Sequence, residues 1–427
     1  MSAKSYLLAL AALALLLHNL HLQWQLNASP APPASGAALR ASSSAASPSE
    51  PPPLPASSAP APGSSNASGP ALLPCGAATA YSTLIIEPRA SDALEFALRH
   101  TACSTPPDWP IVLVSSRAAR AFVAARLGDL LASARLRLVE LDARERVLHV
   151  LCAAPSAAGG EEWRTLRSTA PDVPWGAAAA AASPQPWPLS WDLANAALKS
   201  LPLYDVIPSP HYIQFQTDGL LCRPVTQEDV RELLQYDMVG APWPTEATPP
   251  WNDWSRYMVQ WKTDAKGERV AARVASNGGL QWRRRDTFAD ILRAEHAGKP
   301  WRGSVGLNLW GAQAGSKRVG EAASWEPSFS RGDFAVINED QCFGERLLGT
   351  PAGRLPSRDV ARRFFFEAFE PLEGSAPLGC HKPWFYFAGA GEAALRRVVA
   401  ACPVAAETLA WRRGEPVRSC SAQGRGG

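Results

Sequence analysis

The sequence lacks a strong charge of either sign, and it lacks the cysteine spacings of a metal-binding module. Its 42 Lys and Arg against 39 Asp and Glu give a formal net charge of +3, spread along 427 residues, so a nucleic-acid interface is not indicated. The 8 Cys include no C-x-x-C pair and no Cys/His cluster with zinc spacing, which argues against a structural zinc site. These absences favour a small anionic ligand.

No apolar run clearly reaches the length of about 20 residues that a membrane-spanning helix needs. The best candidate, Tyr6 to Leu17, follows the single cation Lys4, and no further charge appears until Arg40. The pattern predicts a cytoplasmic tip and a type II signal-anchor helix within residues 1–26, with the N-terminus in the cytosol. A cleaved signal peptide of a secreted protein and a buried helix are alternatives, although no small-x-small cleavage site follows closely.

Residues 27–80 consist mostly of Ala, Pro, Ser and Gly, a composition that cannot bury enough apolar surface to offset chain entropy. They are predicted to form a disordered stem. Two N-glycosylation sequons, at Asn27 and Asn66, lie in this stem, where a transferase in the secretory lumen would reach them. Residues 81–420 are predicted to form one folded domain, followed by a disordered tail at 421–427.

Strand-like apolar segments alternate with amphipathic segments in the first part of this domain. The predicted elements are strands at Ser82–Glu87, Ile111–Val114, Leu136–Leu141 and His211–Phe215, and helices from Ser91 onward, over Arg117–Ala134 and, as one or two helices, over Gly391–Trp411. This order implies right-handed crossovers, and therefore an α/β fold with a mostly parallel sheet flanked by helices. Cys402 and Cys420 are one plausible disulfide pair.

Five short motifs follow in the second half of the chain, the first of them directly after a predicted strand. They are Phe215-Gln216-Thr217-Asp218-Gly219, Gly240-Ala241-Pro242-Trp243, Ser276-Asn277-Gly278-Gly279, Asn338-Glu339-Asp340 and Cys380-His381-Lys382-Pro383-Trp384. In open α/β sheets ligands bind outside the carboxyl ends of the strands, so Asp218 is placed to meet one. In this order the motifs resemble the family catalogued as domain of unknown function 5672, which is grouped with GT-A-type glycosyltransferases, over roughly residues 82–387.

The resemblance implies a GT-A-like, Rossmann-like fold that takes a nucleotide-sugar donor. The implied donor-binding residues are Glu87, Arg89, Gln216, Asp218 and Lys382. Asp218 and His381 are the implied ligands of a divalent cation, Mn²⁺ or Mg²⁺. Metal dependence stays open, because Gln216-Thr217-Asp218 stands where GT-A enzymes usually present Asp-x-Asp, and one carboxylate plus an amide is a poorer cation site.

A second group of residues is predicted to contact the sugar or the acceptor. This group is Trp243, Asn277, Gly278, Gly279 and Trp384. The adjacent glycines would leave backbone N–H groups accessible to an anion or a sugar hydroxyl, and a Trp face can carry a sugar ring. A core Trp and a hairpin turn account for the same letters, so these structural interpretations remain open.

Glu339 and Asp340 are adjacent in the first turn of a predicted helix, so their side chains point about 100° apart and only one can face an acceptor. The resemblance implies that one of them is the general base of an inverting displacement. Asp340 is the predicted base, and Glu339 would orient the acceptor or stabilise the helix end. A favourable interaction with the helix dipole explains both acids without catalysis.

The sequence therefore predicts a glycosyltransferase that moves a sugar to a hydroxyl of a glycan, glycoprotein or glycolipid. Inversion is the favoured outcome, and retention is the alternative. The catalytic domain would be luminal, in a Golgi or other secretory-pathway membrane. The competing hypothesis is a non-catalytic carbohydrate-binding protein on a degenerate glycosyltransferase fold. The missing first Asp of Asp-x-Asp favours this alternative, and the retained acids Glu339 and Asp340 favour the enzyme.

Overall fold

The computed structural model describes part of the chain. The described residues are 78–142, 147–153, 161–167, 194, 197–243, 258–297, 338–367, 372, 374–382 and 392–412. The predicted anchor, nearly all of the stem with both sequons, the C-terminal tail and Trp384 lie outside these residues. Within the described ranges, no helix has the length and apolar character needed to cross a membrane.

The central sheet has eight strands. They are β1 (Tyr81–Ile86), β2 (Ile111–Ser115), β3 (Leu136–Asp142), β4 (Val147–Ala153), β5 (Glu161–Arg167), β6 (His211–Phe215), β8 (Met238–Pro242) and β11 (Ser276–Arg284), in the spatial order β5-β4-β3-β2-β1-β6-β11-β8. Strands β1, β2, β3 and β6 pair in parallel, whereas β4 and β11 are antiparallel to both of their neighbours. Six of the eight strands therefore run in one direction, which confirms the predicted α/β class with a mostly parallel sheet.

Two small sheets accompany the central one. One pairs β9 (Val259–Thr263) with β10 (Arg269–Val274), and the other contains β7 (Gly219–Leu221), β12 (Phe365–Phe366) and β13 (Gly379–His381). In the three-stranded sheet the middle strand β13 is parallel to β12 and antiparallel to β7. Because β7 begins directly after Asp218, this small sheet stands at the carboxyl end of β6.

Helices of 5 to 13 residues are found among the described residues. They are α1 (Asp92–Ser104), α2 (Arg120–Arg126), α3 (Gly128–Ala132), α4 (Leu201–Val206), α5 (Gln227–Leu233), α6 (Arg285–His296), α7 (Glu339–Leu348), α8 (Arg358–Phe364), α9 (Glu392–Ala401) and α10 (Val404–Arg412). The Ser91 side chain caps α1, as predicted, by accepting the N–H of Leu94. The helix predicted over 117–134 is instead a 3₁₀ turn followed by α2 and α3, because the chain leaves helical geometry at Leu127, before Gly128.

Apolar residues cover both faces of the central sheet. Successive residues of β1, Leu84 and Ile85, are fully buried in two different clusters, as the alternation of side chains along a strand requires. Covering both faces explains why the central parallel strands are apolar along their whole length, as in β2, whose five residues are all buried.

A disulfide joins Cys222, directly after β7, to Cys402, between α9 and α10. The predicted Cys402–Cys420 pairing is therefore wrong: Cys402 already has its partner 180 residues away in the sequence. The break between the two helices falls at Pro403, which cannot donate the helical hydrogen bond. The disulfide fastens the C-terminal helices to the three-stranded sheet.

Candidate functional site

The candidate site lies where several elements end at one edge of the central sheet. Strands β1 and β6 are parallel, so their carboxyl ends share this edge, and β11 brings its first residues there because it is antiparallel to β6. The backbone N–H of Gln216, after β6, donates to the carbonyl of Gly279, at 2.9 Å. The first turn of α7 meets the same segment, since Asp340 accepts the N–H of Gly278. His381 pairs with Gly219, and Pro242 at the end of β8 pairs with Ser276 of β11. The fold thus brings all five predicted motifs to this edge.

Asp218 and His381 are in direct contact. The His381 Nε2 atom lies 3.2 Å from Asp218 Oδ1, and its Nδ1 atom lies 3.1 Å from Glu367 Oε1. Burial acts to lower the pKa of His381, but Glu367 and Asp218 outweigh burial and raise this pKa to about 9. Burial acts to raise the pKa of Asp218, and the contact with His381 brings it below the ordinary value instead. A protonated His381 between two carboxylates is the state that this arrangement favours without a metal.

Lys382 adds a second cation to this cluster. Its Nζ atom lies 3.9 Å from Asp218 Oδ2, and its backbone N–H donates to the Asp218 carbonyl at 3.0 Å. Lys382 has a φ of 46°, a left-handed conformation that is uncommon for a residue with a side chain. Such strain persists where the surroundings impose it and is often found at functional sites.

Glu87 and Arg89 follow β1 at the same edge. The guanidinium of Arg89 donates to both carboxylate oxygens of Glu87, at 2.8 and 2.7 Å. This pairing raises the pKa of Arg89, and the charge of Asp218 contributes to the shift. The Arg89 side chain is 70% exposed and that of Glu87 is 7% exposed, so Arg89 is the group that an incoming anion would meet. Glu87 holds the Arg89 guanidinium in position.

Gly278 and Gly279 do not offer free N–H groups, so this part of the predicted role is wrong. The Gly278 N–H donates to Asp340 Oδ2 and the Gly279 N–H to Asn277 Oδ1, both at 2.8 Å. What the glycines provide is space. A Cβ atom at Gly278 would overlap the carboxylate of Glu339, and one at Gly279 would overlap the imidazole of His381.

Replacing Gly279 by alanine is expected to lower the free energy of unfolding by about 1–3 kcal/mol, because His381 is buried and has to move away from the added methyl group. Displacing His381 should also weaken any ligand bound at Asp218. The matched control is Gly128→Ala, since a Cβ there meets nothing within 4 Å and Gly128 starts a helix. Chemical denaturation measures both variants. Equal stabilities would mean that the His381 ring does not need the space.

The two acids of α7 are both buried and both hydrogen-bonded. Glu339 Oε1 accepts from the Arg283 guanidinium at 3.1 Å and from the Gln214 amide at 3.2 Å. Asp340 accepts two backbone N–H groups, from Gly278 and from Gln341, the latter at 2.7 Å. Burial first, and the neighbouring charge of Glu339 second, raise the pKa of Asp340 to about 7, despite these two hydrogen bonds. Asp340 therefore holds a proton more readily than an ordinary aspartate does.

Trp243 does not present a face to a sugar, contrary to the prediction. The residue is 4% exposed and belongs to the hydrophobic core on one face of the central sheet. The structural interpretation of the Gly240-Ala241-Pro242-Trp243 motif is the correct one here, because the apolar ring is covered by other core residues. The predicted sugar contact at Trp384 lies outside the described residues.

Two residues that are not among the predicted site residues hold the predicted ones in place. Arg283 is fully buried and pairs with Glu339, although Arg side chains are rarely buried. Glu367 follows the apolar run Phe364–Phe366 and contacts His381. The signal for Glu367 was the same as for Asp218, an acid directly after a strand, but β12 has only two residues and gives no pattern of its own.

The residue types at Asp218 are ones that a divalent cation accepts. Gln216 Oε1, Asp218 Oδ1 and His381 Nε2 are buried atoms without a well-aligned hydrogen-bond partner, and oxygen and imidazole nitrogen are ligands that Mn²⁺ accepts. Binding would require His381 to lose its proton. The sulfurs of Cys222, Cys380 and Cys402 lie within 4.8 Å of one another, but two of them form the disulfide, so they do not make a cation site in this state.

Residues 189–381 match the model of the family described as Protein of unknown function (DUF5672). The resemblance drawn from the motifs is confirmed, over a narrower range than residues 82–387. No curated protein matches the chain at a significant level.

The solved structures similar to this chain include two glycosyltransferases. The galactosyltransferase LgtC, in complex with donor and acceptor sugar analogues, has 12% identity and a TM-score of 0.36, with 75% of this chain and 95% of that chain covered. Mouse xyloside xylosyltransferase 1, in its apo form, has 11% identity and a TM-score of 0.32, with 68% and 88% covered. These TM-scores are below 0.5, so neither the fold nor the function of this chain rests on them.

Proposed function

We propose that this protein is a GT-A-type glycosyltransferase that moves a sugar from a nucleotide-sugar donor to a hydroxyl acceptor, with inversion. The observation that carries the proposal is the meeting of two groups at one sheet edge. One is the cluster of Asp218, His381 and Lys382, and the other is the buried acid pair Glu339 and Asp340, with Gly278 and Gly279 between them. The family matched over residues 189–381 has no described function. Its grouping with GT-A-type glycosyltransferases, which the resemblance of the motifs implies, supports the same function.

In this proposal the cations of the site bind the donor diphosphate. Arg89 and Lys382 offset its charge, while Gln216, Asp218 and His381 would hold Mn²⁺ or Mg²⁺. The ion, when bound, would supply positive charge for the leaving diphosphate. Glu87 orients Arg89, and Asp340 takes the proton of the acceptor hydroxyl while Glu339 keeps the first turn of α7 in place. Asn277 and Trp384 remain the candidates for sugar contact.

We also propose that the catalytic domain is luminal, behind a type II anchor within residues 1–26, with a secreted form as the alternative. Support comes from the Cys222–Cys402 disulfide, because disulfides persist in the secretory pathway and are rare in the cytosol. The acceptor in that compartment would be a glycan, glycoprotein or glycolipid.

The competing function, carbohydrate binding without turnover, is favoured by one observation. Both oxygens of Asp340, and one oxygen of Glu339, already accept hydrogen bonds within the protein. A binding protein would be stabilised by its sugar ligand but would release no nucleoside diphosphate. Product release from a stabilising nucleotide sugar therefore separates the two functions.

Replacing Asp218 by asparagine tests the proposed function. Nucleotide sugars should raise the melting temperature of the full-length protein, with and without Mn²⁺, and Asp218→Asn should abolish the increase. The variant should also lose about 1–3 kcal/mol of stability, because Asp218 partners the buried His381. Asp264→Asn is the control, since Asp264 only accepts N–H groups in the turn between β9 and β10. Undiminished stabilisation in Asp218→Asn would reduce Asp218 to a turn residue.

A further inference from the structure

The three-stranded sheet arranges three ionisable residues in a row. Phe366 of β12 pairs with Cys380 of β13, so the next residues, Glu367 and His381, are neighbours. His381 in turn pairs with Gly219 of β7, which directly follows Asp218. Strand pairing therefore places the imidazole between two carboxylates that are 149 positions apart in the sequence, the difference between 367 and 218. We call these residues the Glu367–His381–Asp218 row.

The two ends of this row differ in exposure. The side chain of Asp218 is 25% exposed, whereas those of His381 and Glu367 are 1% and 2% exposed. The Asp218 end therefore faces the candidate site, and the Glu367 end lies inside the protein. The contacts of 3.2 and 3.1 Å are close, although neither ring nitrogen has the angles of a good hydrogen bond.

A third contact restricts the ring. The backbone of Gly279 lies so close to the His381 ring that a Cβ atom there would overlap Nε2 and both carbons bonded to it. Gly279 bounds the Nε2 side of the imidazole, and Glu367 bounds the Nδ1 side. Little freedom remains for the ring to rotate as long as both neighbours stay in place.

We propose that Glu367 is a positioning residue that fixes the ring of His381, with Nδ1 toward the interior and Nε2 toward Asp218. The proposal rests on the proposed function, in which Nε2 is the atom that meets the donor or its cation. In metal-binding histidines the partner of the second nitrogen sets the tautomer and the ring orientation, and its loss typically costs 10–100-fold in metal affinity. Glu367 is buried and lies next to Nδ1, as this role requires.

A simpler role for Glu367 is to neutralise the charge of a buried imidazolium. The two roles require different properties of the Glu367 side chain. Positioning needs an acceptor oxygen that reaches Nδ1, whereas neutralisation needs only a negative charge nearby. Glu367→Asp keeps the charge and withdraws the oxygen, and Glu367→Gln keeps an oxygen at the same reach and removes the charge. The pair of variants therefore separates the roles.

The test uses full-length protein labelled with ¹⁵N-histidine, and its first readout is the Nδ1–H proton resonance of His381, assigned by its loss in His381→Asn. In the wild type this proton should resonate downfield and exchange slowly, because a buried carboxylate oxygen of Glu367 lies 3.1 Å from Nδ1. The second readout is Mn²⁺ affinity by electron paramagnetic resonance titration. Glu345→Gln is the matched control, since Glu345 is equally buried but pairs with Arg346.

Positioning predicts that Glu367→Asp moves the Nδ1–H resonance and weakens Mn²⁺ binding by at least about 10-fold, and that Glu367→Gln weakens it less. The control should match the wild type in both readouts. A Glu367→Asp variant with the wild-type resonance and affinity would overturn the proposal and leave Glu367 as a counter-charge. If the wild type binds no Mn²⁺ but Glu367→Asp still moves the resonance, the positioning role stands and the metal part of the proposed function fails.

Discussion

Replacing Arg283 by methionine is expected to lower the free energy of unfolding by about 3–5 kcal/mol, the usual result of removing one partner from a buried ion pair. Arg283 has no exposed surface, and its partner Glu339 has a side chain only 6% exposed, so the carboxylate would remain buried without its cation. The guanidinium also stacks over the rings of Phe288 and Phe343, at 4.9 and 6.0 Å from their centroids. Denaturant titration measures the change.

The next residue in the chain provides the control for this experiment. Arg284 has a side chain 42% exposed, and its guanidinium is 3.7 Å from the carboxylate of Asp237. Asp237 also accepts from Arg354 and Thr287, so Arg284→Met should cost no more than about 1 kcal/mol. Adding Glu339→Gln to Arg283→Met should restore part of the lost stability. If Arg283→Met and Arg284→Met lose similar amounts of unfolding free energy, the buried pair of Arg283 and Glu339 does not stabilise the protein more than an exposed pair.

The sequence was sufficient to predict β1, β2, β3 and β6 of the central sheet, but not β4 and β5. Strands β1 and β2 are short apolar runs bounded by proline, Ser91 caps the helix between them, and these signals are local. The carboxyl ends of parallel strands then meet at one edge by geometry, which is why Asp218 could be placed beside Glu87 and Arg89 without a structure. Local patterns and one topological rule were enough.

The contacts that complete the site were not predictable in this way. Arg283 and Glu339 are 56 residues apart, and Glu367, which contacts His381, follows a strand of only two residues. Cys402 pairs with Cys222, across 180 residues, rather than with Cys420 nearby. These contacts join residues that are distant in the sequence, and they form only when the chain folds back to the sheet edge. Local periodicity and turn residues do not predict such contacts.

The glycines show how one pattern can have two physical meanings. Asn277-Gly278-Gly279 fits both a backbone nest for an anion and a close approach of side chains. Only the neighbours decide between them, and here they are Glu339 above Gly278 and His381 beside Gly279. The same is true of Trp243, whose ring is as suited to a core as to a sugar, and which lies in the core.

Replacing Asp340 by asparagine is expected to lower turnover by about 10²-fold or more while donor binding is retained, since this is the usual contribution of a positioned general base. Turnover is measured as release of nucleoside diphosphate from the donor found by thermal stabilisation. The single oxygen of asparagine can still accept the Gly278 N–H, so the junction between α7 and β11 should persist, while the Gln341 N–H loses its partner. Glu339→Gln is the paired variant, and it should lose stability more than Asp340→Asn does because Arg283 would then be buried without its anion.

The pH dependence gives the assignment a second, independent signature. The pKa of Asp340 is raised to about 7 in the folded protein, so the basic form grows as pH rises through 7, and wild-type turnover should rise with it. Because the pKa of Asp340 is higher in the folded than in the unfolded protein, protonation of this carboxyl group stabilises the fold. This contribution is fully present below the pKa of the unfolded state and is lost as pH rises through about 7, the pKa of the folded state. Wild-type stability should therefore fall between pH 4 and 7 more steeply than that of Asp340→Asn.

The turnover of the two variants decides between the two acids. If Asp340→Asn works at the wild-type rate while Glu339→Gln is inactive, the roles of Asp340 and Glu339 are exchanged. If both variants remain active, the base lies elsewhere and the two acids serve the fold.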